Sequence, residues 1–353
     1  MEVFHHGEEF YRALHRAIAG AKKEILISVY SFQNDRVGRG FVELLGAKAR
    51  KGVTVRVLLD GMGSRHDGRE VARAIRRNGG AVMIFRPRGR YLSRHPIASG
   101  RRDHVRIFLI DRHLLGLGGM SIGNIYRTRR DLSVLMSTAR TSDIVSYFNL
   151  LWVRAGTHRD DTPPPVLPRP GSLGGGVTAL VSGPFKREQM IQEWFLERIR
   201  KARRRIVIVS AWFLPSCELL EALVAADARG VRVTIITPMH TDKRWYDDFR
   251  GGAAARLLHS GVAWYAAPEY IHQKFSLIDG HWCLGSANFD MISMNRNYEL
   301  NICGEGGAML PRLEKSVAQA MTGAERMTKT NLSWLVGNVA GIFYPLLEAI
   351  VKV

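Results

Sequence analysis

The chain is short of cysteine, the residue that thiolate metal sites and disulfide frameworks require. Its 353 residues include three cysteines, Cys217, Cys283 and Cys303, at no metal-ligand spacing, and two sit in apolar runs. Buried free thiols in a reducing compartment are expected. There is no Gly-x4-Gly-Lys-Ser/Thr loop and no His-Glu-x-x-His pair, which removes two familiar nucleotide and zinc signatures. Gly61-Met62-Gly63-Ser64 follows a strand pattern but lacks the lysine and full glycine pattern of a nucleotide loop, so a tight turn is expected there. The first residues, MEVFHHGEEFYRAL, hold neither a basic nor an apolar leader block, so no secretory signal is expected. Adjacent His5 and His6 read as surface residues. Acidic residues are scarce, 32 Asp and Glu against 51 Lys and Arg, a net charge of +19. Such an excess argues for a polyanionic partner, nucleic acid or an anionic membrane, and charge alone does not choose between them.

What is present is a pattern drawn twice. Apolar residues are 46% of the chain, which suits a globular core, and the length admits two ordinary domains. A helical period over Tyr11, Leu14 and Ile18 leads into the apolar run 24–30. A second helix over 37–50 closes at Lys51-Gly52 before the strand pattern 53–60. The second half redraws this order with a helix at 194–199, a strand at 206–213, a helix at 218–228 and a strand at 231–236. Helices between β-branched runs predict βαβ units around a largely parallel sheet. One repeat is expected over 1–161 and the other over 177–325. Between them, 162–176 holds five prolines followed by glycines and is expected to be a linker, stiff at first and then flexible. The last segment, 326–353, is different. Residues 332–347 are apolar except for Ser333 and Asn338, but such a helix reaches about 24 Å, short of the roughly 30 Å hydrocarbon core. Pro345 and Glu348 also work against a span. A helix lying in the membrane interface is expected, with packing on the protein as the alternative.

Chemistry concentrates in residues 272–299, HQKFSLIDGHWCLGSANFDMISMNRNYE. Phe275, Leu277 and Ile278 read as a buried strand, Asp279-Gly280 as a hairpin turn, and Trp282, Cys283 and Leu284 as the return. Side chains alternate along a strand, so His272 and Lys274 share a face. A titratable imidazole beside a fixed cation suits attack on a phosphate. Gly285-Ser286-Ala287-Asn288 adds small residues and polar donors, and Glu299 is placed to return and orient an imidazole. A counterpart lies 168 residues earlier, from His272 back to His104. It reads His104-x-Arg106-x4-Asp111, then Gly118-Gly119-Met120-Ser121. Asp131 follows His104 by 27 residues, as Glu299 follows His272.

These paired motifs, with Ser293-x3-Asn297-x-Glu299 after the second, resemble the signature of the phospholipase D superfamily. The phrase GSANFDMISMNRNYELN is similar, more narrowly, to bacterial cardiolipin synthases. The resemblance implies an α/β fold of two similar repeats packed as a pseudo-dimer, each a mostly parallel mixed sheet flanked by helices. It implies a catalytic set of His104, Arg106, Asp111, His272, Lys274 and Asp279 that needs no cofactor and no metal. One histidine, His104 by the family's pattern, forms a phosphohistidine, and His272 protonates the leaving alkoxide. Arg106 and Lys274 stabilise phosphate oxygens, and Ser121, Ser286 and Asn288 are expected to bind the substrate phosphate. Asp131 and Glu299 are expected to orient the imidazoles, while Asp111 and Asp279 support the hairpins more than they touch substrate. The chain departs from the pattern in three places. Arg106 replaces a lysine, Ser121 replaces an asparagine, and five residues rather than six separate Asp279 from Gly285.

The activity implied is transfer of a phosphatidyl group to the glycerol headgroup of phosphatidylglycerol, giving cardiolipin. Its partners would be anionic phospholipids and the cytoplasmic face of the cell membrane, met through the arginine-rich run 86–106 and the apolar tail. A phospholipase-type hydrolase, a basic phosphodiesterase or nuclease, and a membrane-binding protein with an inactive first motif are the alternatives. The fused copies and the apolar tail weigh against a nucleic-acid partner.

Overall fold

The computed structural model describes residues 1–87, 100–157, 171–185, 188–242 and 244–328. The expected interfacial helix at 332–347, the start of the linker and much of the arginine-rich run lie outside these residues.

The first half forms seven strands: β1 (Glu2–His6), β2 (Glu24–Val29), β3 (Thr54–Asp60), β4 (Ala81–Phe85), β5 (Arg106–Ile110), β6 (Leu114–Gly118) and β7 (Arg130–Ser137). Their order across the sheet is β1-β7-β6-β5-β2-β3-β4. The second half contributes β8 (Gly171–Gly174), β9 (Val177–Ser182), β10 (Arg205–Ser210), β11 (Phe213–Leu214), β12 (Arg232–Pro238) and β13 (Ala263–Ala267). It continues with β14 (Lys274–Ile278), β15 (His281–Gly285), β16 (Phe289–Asp290), β17 (Glu299–Glu305) and β18 (Glu325–Arg326). The main second sheet runs β18-β13-β12-β10-β14-β15-β17-β9-β8, and β11 pairs with β16 separately. With β8 and β18 removed from its edges, this order repeats that of the first sheet strand for strand.

The sheets are mixed, but the expectation that they are mostly parallel is corrected. Within the two large sheets, among the described residues, only β2–β3–β4 and β10–β12–β13 pair in parallel. The hairpins β5–β6 and β14–β15 and their neighbours pair antiparallel. The βαβ pattern of each first half-repeat is genuine, but the motif-bearing strands arrive as hairpins, which need only a tight turn. Residues 171–174, expected to be flexible linker, instead form β8 along the open edge of β9. Gly174, Gly175 and Gly176 all take positive φ and supply the turn that glycine permits. His5 and His6 belong to β1, which pairs with β7.

Apolar side chains occur on both faces of the central strands because both faces are covered. In β5, Ile107 and Leu109 enter a core shared with Val207, Val209, Phe275 and Leu277 of the other half. Phe108 and Ile110 face a separate core beneath the helices Gly7–Gly20 and Arg36–Arg50. The helices Ser142–Thr157 and Met309–Met321 feed the shared core with Phe148, Leu151 and Leu313. The shared core holds the two halves together through apolar contact, roughly 25 cal/mol for each Å² removed from water.

Candidate active site

His104 and His272 stand just before β5 and β14, where the two sheets meet. The backbone fixes them there reciprocally. The His104 amide donates to the Tyr298 carbonyl (3.0 Å) and the His272 amide to the Arg130 carbonyl (2.7 Å). Each histidine loop is thereby stitched to the strand of the opposite half that carries a carboxylate.

The carboxylates follow the same crossing. His104 Nδ1 bonds Glu299 Oε1 at 2.8 Å, and His272 Nδ1 bonds Asp131 Oδ2 at 2.6 Å. Asp131 and Glu299 were expected to orient imidazoles, and they touch them; the partners are exchanged between halves. Nδ1 engaged with a carboxylate leaves Nε2 as the ring nitrogen available for chemistry. Gly119 makes room for this arrangement, since a Cβ there would lie 2.1 Å from Asp131 Oδ1.

Two cations sit beside the histidines. Lys274 Nζ donates to the His272 carbonyl and Arg106 Nη1 to the His104 carbonyl, both at 2.5 Å. Lys274 is 3% exposed and Arg106 2%, so neither charge is diluted by bulk water. Burial lowers the Lys274 pKa to about 8.

Both imidazoles are held neutral. Burial, with Lys274 adding to it, lowers His272 to about 4. Burial and then Arg106 push His104 well below the usual histidine value. Their carboxylates differ. Burial raises Glu299 to about 7 against the pull of Arg106. Burial also acts on Asp131, but His272, Lys274 and hydrogen bonds outweigh it and bring its pKa below the ordinary aspartate value. The pair with the firmly ionised carboxylate is therefore His272–Asp131.

The three residues expected to bind phosphate differ in the hydrogen bonds they make within the protein. Ser286 donates to Glu299 Oε2 at 2.5 Å and accepts from the Leu300 amide at 3.0 Å, so it holds a carboxylate. Ser121 Oγ accepts from Arg106 Nε at 3.4 Å, so it holds a cation. Asn288 alone of the three keeps a buried side-chain atom, Oδ1, without a hydrogen-bond partner. Asp111 and Asp279, grouped with the catalytic set but expected to support the hairpins more than to touch substrate, lie away from the histidines. They occupy the far hairpin turns, about 20 Å along the strands from the histidines. Asp111 accepts from the amides of Lys22, Lys23 and Glu24, and Asp279 from those of Arg203, Arg204 and Arg205.

Residues that motif spacing did not single out complete the surroundings. Asp60 binds the Arg102 guanidinium (2.9 Å) and the Asp103 amide (3.0 Å), immediately before His104. Buried Asp103 accepts from Ser28 Oγ at 2.7 Å. Tyr30 meets the His104 ring edge-on at 4.8 Å. An acid ending β3 and a tyrosine following β2 were visible as residues, but nothing in their spacing tied them to a histidine 44 or more positions away.

The family profile described as cardiolipin synthase, PLD-like domain, matches residues 14–152 and 195–321. The chain belongs to this family. Membership makes the protein an enzyme of the phospholipase D superfamily, with one profile match in each structural repeat. It is 28% identical over 344 residues to a probable cardiolipin synthase, YwiE, of Bacillus subtilis, covering 93% of this chain and 67% of the relative. The identity to a cardiolipin synthase of Listeria innocua is also 28%, over 93% of this chain and 70% of that protein. Phosphatidylserine synthase of Haemophilus influenzae superimposes with a TM-score of 0.76 at 17% identity, covering 99% of this chain and 94% of that one. Polyphosphate kinase of Porphyromonas gingivalis gives a TM-score of 0.63 at 16% identity, over 99% and 53%. These two structures share the fold of this cardiolipin-synthase-family chain.

Proposed function

We propose that the protein is a phosphatidyltransferase that makes cardiolipin from phosphatidylglycerol through a phosphohistidine intermediate. The observation that carries this is the crossed pair of histidine–carboxylate contacts with a buried cation beside each imidazole. A phosphodiester entering between them meets two neutral rings and two fixed positive charges, and the cationic side chains supply the electrophilic help.

His104 acts as nucleophile. Its Nε2 lone pair attacks phosphorus, a P–N bond forms, and the bond from phosphorus to the departing glycerol oxygen breaks. His272, protonated on Nε2, gives that oxygen its proton. Asp131 supports this division, because an ionised carboxylate on Nδ1 favours the imidazolium form of His272. The negative phosphate raises the His272 pKa on arrival from its low value of about 4 by the same electrostatics, and the ring takes up from solvent the proton that it gives to the leaving oxygen. In the second half-reaction His272, now neutral, takes the proton of the acceptor glycerol hydroxyl. Its oxygen attacks phosphorus, and the P–N bond breaks to release cardiolipin and restore His104. Asn288 would donate to a phosphate oxygen through its side-chain Nδ2–H.

The substrates require access to a bilayer, and the +19 charge suits an anionic surface at the cytoplasmic face of the membrane. Purified protein mixed with phosphatidylglycerol vesicles should yield cardiolipin and free glycerol by mass spectrometry, and His104→Ala and His272→Ala should each abolish both products. Formation of phosphatidic acid alone would reassign the protein as a hydrolase. Removing residues 330–353 should lower cosedimentation with anionic liposomes.

A further inference from the structure

The pseudo-two-fold relation breaks at the cation of the first motif. Lys274 lies in the second half with its ammonium on a backbone carbonyl. An ammonium is a point charge that one such contact can aim, whereas a guanidinium is a plane whose tilt must also be set. Arg106 has that additional support. Its Cζ lies over the Tyr30 ring, 5.5 Å from the centroid, while the same ring makes a T-shaped contact with the His104 ring. The residue in the corresponding place, one after the end of β10 rather than β2, is Ala211, which has no ring to offer.

Tyr30 is in turn held by a device that, among the described residues, has no counterpart at the equivalent positions of the second half. The turn Gly61–Ser64 presses on it, for a Cβ on Gly63 would lie 2.0 Å from the Tyr30 carbonyl oxygen and 2.8 Å from its ring. Ser64 Oγ donates to that carbonyl at 3.3 Å. Asp60 Oδ1 shapes the turn by accepting from the Met62 (2.8 Å) and Gly63 (2.9 Å) amides, and the same carboxylate holds the Asp103 amide ahead of His104. The residue ending the equivalent strand of the second half is Pro238, which has no carboxylate. One acid thus fixes both the platform beneath Arg106 and the approach to His104.

We propose that Tyr30 is a positioning residue of the first half-site, whose ring orients the Arg106 guanidinium toward the substrate phosphate and steadies the His104 imidazole. It acts through its aromatic face, so the hydroxyl is dispensable. This rests on Arg106 and His104 being the phosphate-handling residues.

The test is a double-mutant cycle across Tyr30 and Arg106, read as initial rates with phosphatidylglycerol vesicles and, separately, as calorimetric affinity for inorganic phosphate. Tyr30→Leu should lower kcat about ten-fold with KM changed less than about two-fold, and should weaken phosphate binding. Tyr30→Phe should restore both to within about two-fold. With Arg106→Lys already in place, Tyr30→Leu should cost markedly less, because the plane to be oriented is gone. Tyr30→Met serves as the non-aromatic variant if Tyr30→Leu unfolds. Equal losses with and without the Arg106→Lys substitution, or a Tyr30→Phe loss as large as that of Tyr30→Leu, would overturn the proposal. A wild-type protein that binds phosphate but makes no cardiolipin would refute the assigned substrate, and the phosphate-binding cycle would still decide the role of Tyr30.

Discussion

Lys274 is the cation of the second motif, and pH acts on it directly. Below about pH 8 the Lys274 ammonium is charged and able to stabilise a phosphate. As pH rises through about 8 it loses its proton, so kcat/KM should fall on the alkaline side with that apparent pKa. A guanidinium keeps its charge over the same range. Lys274→Arg should therefore move the alkaline limb upward, even if it lowers the maximum rate, and a pH–rate profile reads this directly. An alkaline limb unchanged in Lys274→Arg would mean that another group sets it. The carboxylates call for substitutions that preserve shape. Asp131→Asn and Glu299→Gln should each cost about 10²–10⁴ in kcat, the range expected when a histidine loses its tautomer-setting partner.

At the level of elements, the two hairpins divide labour along their length. Their histidine ends carry the proposed chemistry, and their turns anchor the hairpin to the loop before a neighbouring strand. Asp111 and Asp279 take φ of 52° and 50°, a backbone region that aspartate tolerates, and each gathers three consecutive amides. Because these turns are largely solvated, Asp279→Ala should cost only about 1 kcal/mol and lower Tm by about 2–4 °C. Its kcat at a temperature well below Tm should be unchanged. Thermal denaturation alongside steady-state rates checks this, and a loss of kcat without a loss of stability would return Asp279 to the catalytic set. Sequence made the hairpin legible through Asp279-Gly280 and the apolar runs around it. It could not give the balance of parallel and antiparallel pairing, because a fully buried strand reads as apolar whichever way its neighbours run. The edge strands β1 and β8 were missed for a related reason. Short polar or glycine-rich segments have no strong strand signal and become strands where an open sheet edge offers them hydrogen bonds.

Across the whole molecule, the halves are mutually required. Each histidine takes its orienting carboxylate from the other half, so neither repeat holds a complete site. Side-chain NMR of the histidines tests the crossing. Asp131→Asn should shift the Nδ1 proton of His272 and leave that of His104 nearly in place, and Glu299→Gln should do the reverse. Pairing within each half would exchange the two results.

The sequence alone pointed to two matched histidine motifs, each with a cation beside it and a carboxylate at the same interval after it. Those conclusions rest on residue type and on spacing along single strands, which local geometry fixes. Only the tertiary structure decided which carboxylate serves which histidine, that Ser286 and Ser121 hold site residues, and that Tyr30 lies beneath Arg106. Matching intervals of 27 residues are satisfied equally by pairing within a repeat or across two. The choice comes from packing: a shared apolar core sets the sheets against each other, and β7 and β17 extend across the junction to meet the opposite histidine.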